Sequence, residues 1–192
     1  MQRKNLLFIF FVAFFAATAF SQKYKSTKHP EISKTLGDSE FSSSKTIFEN
    51  LKEAPDFTIL AKILDESQVR ETLEKQEMVT IFAIADEAFL NLTEERRDSI
   101  LGNRRLVNSM IQYLAVPGRI DSNGLHVAVE KNFGKAQLTT VEGQSLEIKK
   151  VGDTIVLVDN YKNTAKIIAP DFYHKNGFFH IIDGFVFPPG SK

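Results

Sequence analysis

The hydrophobic period of this 192-residue chain changes once, at Pro117-Gly118. Upstream, apolar residues return every three or four positions: Ile47, Phe48 and Leu51, then Phe57, Leu60, Ala61 and Leu64, then Leu106, Val107, Met110, Ile111 and Leu114. That spacing predicts amphipathic helices. Beyond Arg119 the segments are short and separated by Glu142-Gly143-Gln144, Gly152-Asp153, Asn160 to Asn163 and Asn176-Gly177, which reads as strands joined by tight turns. Leu125 to Val129 is read as one of those strands. Met78 to Ala83 (MVTIFA) breaks the order, because it is apolar and β-branched without helical period, so a buried strand is expected inside the helical half. The expectation is an α+β domain with a helical N-terminal half followed by short antiparallel strands.

Local chemistry proposes the helix boundaries. Asp56, just after Pro55, is placed to accept from the free amides of the second helix, and Ser67 to cap a short third one. Asp86 would start a brief helix that turns Ala88 and Phe89 inward. Glu94 and Glu95 suit the positive end of a helix beginning at Thr93, and Gly102 suits its end.

Residues 1–21 read as a signal peptide: Arg3 and Lys4, an uncharged run from Leu6 to Ala17, and small residues at Ala17, Ala19 and Ser21, with cleavage after Ser21 or Ala19. The run is shorter than the roughly 20 apolar residues of a spanning helix. No transmembrane anchor is therefore expected, and the product is predicted to be secreted, whether extracellular, cell-surface-associated or periplasmic. Residues 22–45 carry five lysines among scattered apolar residues and read as a flexible polar tether. The folded domain is expected over 46–189, and 190–192 form a C-terminal end without the apolar tail of a lipid-transfer signal.

Composition excludes several function classes. There is no cysteine, which rules out disulfides, thiolate zinc sites and cysteine nucleophiles, and a cysteine-free exported domain fits a bacterial source. The 24 basic and 24 acidic residues balance, and loss of Arg3 and Lys4 with the leader leaves a small acidic excess. Nucleic-acid binding, which needs a basic stripe, is not expected. The sequence holds no GxSxG, HExxH, phosphate-cradling glycine loop or dinucleotide fingerprint, so no enzyme activity, catalytic residue or cofactor is assigned. His174, His180 and Asp183 are the sharpest candidate for a metal site. An Asn-Gly turn separates the two histidines, so their spacing does not imply convergence, and no metal is assigned.

Two segments are more specific. Thr80 to Phe89 (TIFAIADEAF) runs a strand directly into an acid-started helix. Asn176 to Pro189 (NGFFHIIDGFVFPP) follows Ala169-Pro170-Asp171-Phe172. In this order, about a hundred residues apart, with the Tyr113 helix and Thr140, Gly143 and Leu146 between them, they resemble the two signature motifs of a fasciclin (FAS1) domain over about Thr46 to Pro189.

The resemblance implies a fasciclin-like β-wedge and a non-enzymatic adhesion or interaction module binding extracellular protein or polysaccharide. Its motif positions are Thr80, Phe82, Asp86, Ala88, Phe89, Asn176, Gly177, His180 and Asp183, all read as structural. Asn176-Gly177 would permit positive backbone dihedrals, and Asp86, Asn176, His180 and Asp183 would satisfy buried polar groups. The chain departs from the family's pattern at Ile84-Ala85, where Pro-Thr is usual, at Tyr113-Leu114, where Tyr-His is frequent, and at Asp171-Phe172, where Asp-Ile occurs. The last two regions are implicated in integrin-type adhesion in animal members. The candidate partner-binding residues are Asp171, Phe172, Tyr173 and Tyr113, with Phe172 read either as a contact or as a buried plug. A second reading is a carrier or sensor of a small apolar ligand in a cleft between the helical and strand halves, supplied by the 11 Phe outside the leader.

Overall fold

The computed structural model describes residues 30–191. The expected signal peptide and the start of the expected tether lie outside the described residues. From Glu31 onward the chain begins with an antiparallel hairpin, β1 (Ser33–Leu36) and β2 (Ser39–Ser42). The helical half follows: α1 (Ile47–Glu53), a 3-10 turn (Pro55–Phe57), α2 (Thr58–Asp65) and α3 (Val69–Glu74). Next come β3 (Val79–Ile84), α4 (Asp86–Leu90), α5 (Glu94–Gly102), α6 (Arg104–Tyr113) and β4 (Ala115–Pro117). The second half contains α7 (Ser122–Lys131), β5 (Lys135–Thr139), β6 (Ser145–Val151), β7 (Thr154–Val158), β8 (Thr164–His174) and β9 (Gly177–Ile182).

Two expectations are corrected here. The tether read over 22–45 contains the β1–β2 hairpin, because one residue in it has somewhere to go: Phe41 is fully buried and meets Phe57, Phe172 and Phe179 edge-on at 6.0, 5.1 and 5.1 Å. Burying such a ring contributes roughly 1.5–3 kcal/mol, enough to order a short hairpin that composition alone marks as polar. Asn50 holds the same segment, accepting from the Ser42 amide at 2.8 Å and donating to the Ser42 carbonyl at 3.0 Å. The second correction is Leu125 to Val129, which lies in α7 and not in a strand. Asp121 caps that helix by accepting from the Gly124 amide at 2.7 Å, and the two buried residues, Leu125 and Val129, lie one turn apart.

Seven strands form one sheet in the order β4-β3-β9-β8-β7-β6-β5. Most neighbours are antiparallel as expected, but the two motif strands β3 and β9 pair in parallel, with Val79 opposite Gly177 and Phe82 opposite His180. Only consecutive strands joined by a tight turn must be antiparallel, and about a hundred residues separate these two. β8 pairs with β7 through its first residues and with β9 through its last, with register shifts between Ile167 and Phe172. Such bulges bend a strand and let it serve two neighbours. Val141, just past β5, donates to the Ala115 carbonyl of β4 at 2.7 Å, so the two outer strands of the sheet also meet.

β3 shows why its sequence lacks alternation. All six of its residues are buried, because the strand has a core on each face. Val79, Ile81 and Ala83 join Leu51, Phe57, Leu64, Leu73 and Phe179 in one core, while Phe82 and Ile84 join Phe89, Met110, Leu146, Leu157 and Val186 in the other. A strand covered on both faces reads as a continuous apolar run.

Candidate functional site

The parallel pairing of β3 and β9 brings the two motifs together. Gly177 lies against β3 so closely that a Cβ there would fall 1.8 Å from the Val79 carbonyl oxygen. The reason for glycine is thus close approach. The positive dihedral expected of Asn176-Gly177 is absent, as neither residue is among those with positive φ. Asn176 instead donates its amide to the carbonyls of Leu73 at 3.1 Å and Gln76 at 2.9 Å, closing the end of α3. His174 Nε2 lies 3.2 Å from the Val79 carbonyl and 3.1 Å from that of Phe178, and two acceptors make this nitrogen the donor.

Asp86 does not cap the helix that it starts. Its carboxylate accepts from the Thr58 amide at 2.9 Å, the Thr58 hydroxyl at 2.5 Å and the Ile59 amide at 2.9 Å, so it closes the N-terminus of α2. α2 has no capping side chain of its own, and Asp56, expected in that role, is exposed. Ser67 likewise leaves α3 uncapped, since Gln68 stands at the N-cap. Thr80 is buried, donates to the Gly118 carbonyl at 2.8 Å and accepts from the Ile120 amide at 2.8 Å. Ala88 and Phe89 are buried, with Phe89 edge-on to Phe185 at 4.9 Å. Asp183 accepts from the Lys166 amide at 2.7 Å, but both residues are exposed, which corrects the expectation that it satisfies a buried group.

His180 is fully buried and stacks on Phe82 at 5.7 Å. Its Nε2 donates to the Ile120 carbonyl at 2.9 Å, and its Nδ1 accepts from the Asp171 amide at 3.1 Å. Burial pushes its pKa down, while the Ile120 carbonyl and Asp171 act against that. Asp171 sits at φ 61 in the irregular part of β8, with its carboxylate 3.8 Å from His180. It accepts from the Ser122 amide at 2.6 Å and from the Ser122 hydroxyl, and so supports the N-terminus of α7. Sequence reasoning missed Ser122, whose signal was its place just after the cap residue Asp121.

The four candidate partner-binding residues separate by exposure. Tyr113 is fully buried, its hydroxyl donating to the Ser145 carbonyl at 3.0 Å, and burial with Asp159 nearby pushes its pKa up to about 12. Phe172 is buried and stacked on Phe179 at 5.2 Å, so of its two readings the geometry gives the plug. Neither ring can reach a partner in the folded chain, which corrects both assignments. Asp171 keeps 29% of its side chain exposed while both oxygens serve Ser122. Tyr173 is half-buried, packs on Phe178 at 5.1 Å, and the exposed Arg119 lies over Phe178 at 5.1 Å.

Of the cleft expected between the helical and strand halves, the part between α2, α6 and β3 is filled, while an open space of about 330 Å³ lies between α5 and α6 and the residues Tyr161, Asn163 and Phe187. The space among Leu51, Leu60, Leu64, Ile81, Phe82 and Ile111 measures about 10 Å³, the threshold for a single water. A small apolar ligand has no room there. Among the described residues no three His, Asp or Glu side chains gather where an ion could bind, and His174, His180 and Asp183 are each hydrogen-bonded to separate backbone groups.

Comparison with known proteins agrees with this geometry. Residues 55–188 match the fasciclin domain family. Human periostin is 24% identical over 76% of this chain, and pig transforming growth factor-beta-induced protein ig-h3 is 24% identical over 77%. This chain spans only 16% and 20% of the length of those two proteins. Protein sll1483 of Synechocystis is 27% identical over 93% of this chain and 96% of its own length. The solved FAS1 domain pair of the insect cell adhesion molecule fasciclin I superposes with a TM-score of 0.63 at 14% identity, covering 84% of this chain and 68% of that one. The two motifs lying side by side, the match over most of the folded residues and the shared fold together place this chain in the fasciclin (FAS1) domain family.

Proposed function

We propose that this chain is a non-enzymatic, exported interaction module that binds an extracellular protein or polysaccharide through the Tyr173, Phe178 and Arg119 surface at the end of the β8–β9 hairpin. One observation carries the reading. Thr80, Asp86, Asn176 and His180 each spend their polar groups on internal hydrogen bonds, whereas Tyr173 and Phe178 are only half-buried and lie beside the exposed Arg119. Aromatic rings with a guanidinium on a rigid hairpin suit a sugar face or a protein partner. The solved relative's description as a cell adhesion molecule supports the class of function. No helix among the described residues is long and apolar enough to cross a membrane, and export rests on the leader pattern of residues 1–21.

The test is capture from host envelope extract and on a glycan array by the purified chain. A retained species that is lost in Tyr173→Ala and Arg119→Ala variants with unchanged melting supports the reading. A folded chain that retains nothing overturns it.

A further inference from the structure

Phe133 is 102% exposed, more than any other large apolar side chain among the described residues. Its backbone stands at φ 57, a region costly for a bulky residue. The positive φ lets the Gly134 amide reach the Val129 carbonyl at 2.9 Å and closes α7, a task that Gly or Asn performs at less cost, so the phenyl ring itself adds nothing to the turn. The residue sits in the turn between α7 and β5, followed by Gly134 at φ 94. The Gly134 carbonyl accepts from the Lys150 amide at 3.2 Å, which sets this turn beside the β6–β7 turn, where Val151 is 53% exposed.

The same two turns concentrate positive charge. Lys135 stands directly opposite Lys149 in the β5–β6 register, a like-charge pairing that weakens a sheet. Lys131 ends α7, and Lys150 precedes Val151. The nearby acids are Glu130, 3.8 Å from Lys150, Glu147, two residues before Lys149 in β6 and bonded to Gln137, and Asp153 in the β6–β7 turn, while Lys131, Lys135 and Lys149 form no ion pair among the described residues. The result is two exposed apolar side chains on neighbouring turns, with Lys131 and Lys135 within two residues of Phe133 and Lys149 and Lys150 within two residues of Val151.

We infer that these turns are a docking site for an anionic lipid surface, with Phe133 and Val151 entering the boundary between headgroups and acyl chains and the lysines meeting lipid phosphates. The shape and chemistry select this partner. A ring covered on no side suits a flat, deformable medium, and lysines flanking exposed apolar residues match anionic bilayers. Sugar recognition would need directional donors and acceptors around the ring. Here Asn132 turns its amide inward, to the Ala128 carbonyl at 2.8 Å.

The test uses the chain from Pro30 onward, which holds both cores and omits the apolar leader. Co-sedimentation with vesicles of phosphatidylcholine and phosphatidylglycerol in equal parts is compared with phosphatidylcholine alone. Binding is expected only to the anionic vesicles, falling with salt. Phe133→Asn, which tolerates the positive φ and should melt no lower, weakens binding roughly tenfold or more. Lys135→Gln and Lys149→Gln weaken it about fivefold each. The inference is overturned by absence of vesicle binding, by binding that survives Phe133→Asn, or by equal binding to neutral vesicles. It is equally overturned if dextran sulfate is bound through Phe133 and vesicles are not, since the partner would then be an anionic polysaccharide.

Discussion

The carboxylate of Asp86 closes the helix that begins at Thr58, 28 residues earlier in the chain, by accepting its amide and its hydroxyl. The first motif acid therefore joins the end of β3 to the start of α2. Asp171 does the same for α7 across 49 residues. Asp86, read as the start of a local helix, and Asp171, read as a partner contact, both act as long-range fasteners between helices and sheet.

Loss of the Asp86 carboxylate should cost what a helix cap costs. Asp86→Ala is expected to lower stability by about 1–2 kcal/mol, read as a lower urea midpoint with unchanged slope. Asp56→Ala, at the position that looks like the local cap, should shift the midpoint by less than about 0.5 kcal/mol. Equal effects would show that α2 is capped from its own neighbourhood.

Gly177→Ala should be among the most damaging single-methyl changes in the chain. The new carbon would fall 1.8 Å from the Val79 oxygen, so β9 must move from β3. A loss of about 3 kcal/mol or more is expected by thermal melting, at the upper end for overpacking. Gly143→Ala, at φ 82 in open space, carries only backbone strain and should cost about 1–2 kcal/mol. Similar melting for the two variants would argue against close contact at Gly177.

Stability should decline in acid before the carboxylates titrate. Burial pushes the His174 pKa down from 6.5 to about 4, against the pull of the Val79 and Phe178 carbonyls. The native state keeps this ring neutral while the unfolded chain takes up a proton, so the contribution is complete above pH 6.5 and is lost as pH falls toward 4. The loss amounts to about 3 kcal/mol, with His180 shifted in the same direction. His174→Gln should flatten the urea midpoint between pH 7 and pH 4.5. An unaltered pH profile in that variant would remove His174 as the cause.

Phe172 and Tyr173 are adjacent in sequence and should behave as opposites. Phe172→Ala opens a space beside Phe41 and Phe179 and is expected to cost about 3–5 kcal/mol. Tyr173→Ala should cost under about 1 kcal/mol and leave the fold intact. Denaturation of the two variants decides between plug and contact for each ring.

The hairpin ahead of α1 should also be part of the cooperative fold. Phe41→Ala is expected to lower stability by about 3–5 kcal/mol, which no flexible tether would do. An unchanged melting curve would return this segment to the status of a tether.

What the sequence by itself determined was everything decided within a few residues. The helical stripes of α2 and α6 and the apolar run of β3 follow from hydrophobic period and residue type. The resemblance carried by the two motifs located the β3–β9 pair. Tertiary structure alone decided matters that depend on which distant group arrives. It set the parallel sense of that pair, the burial of Phe41 and Tyr113, the helices fastened by Asp86 and Asp171, and the contact that demands glycine at 177. Leu125 to Val129 marks the boundary, since residues four apart share a face in both helix and strand, and only Asp121 and Ser122 tipped the choice. A carboxylate or a ring carries no mark of its partner along the chain, because burial and capping are properties of the space that the rest of the fold brings to it.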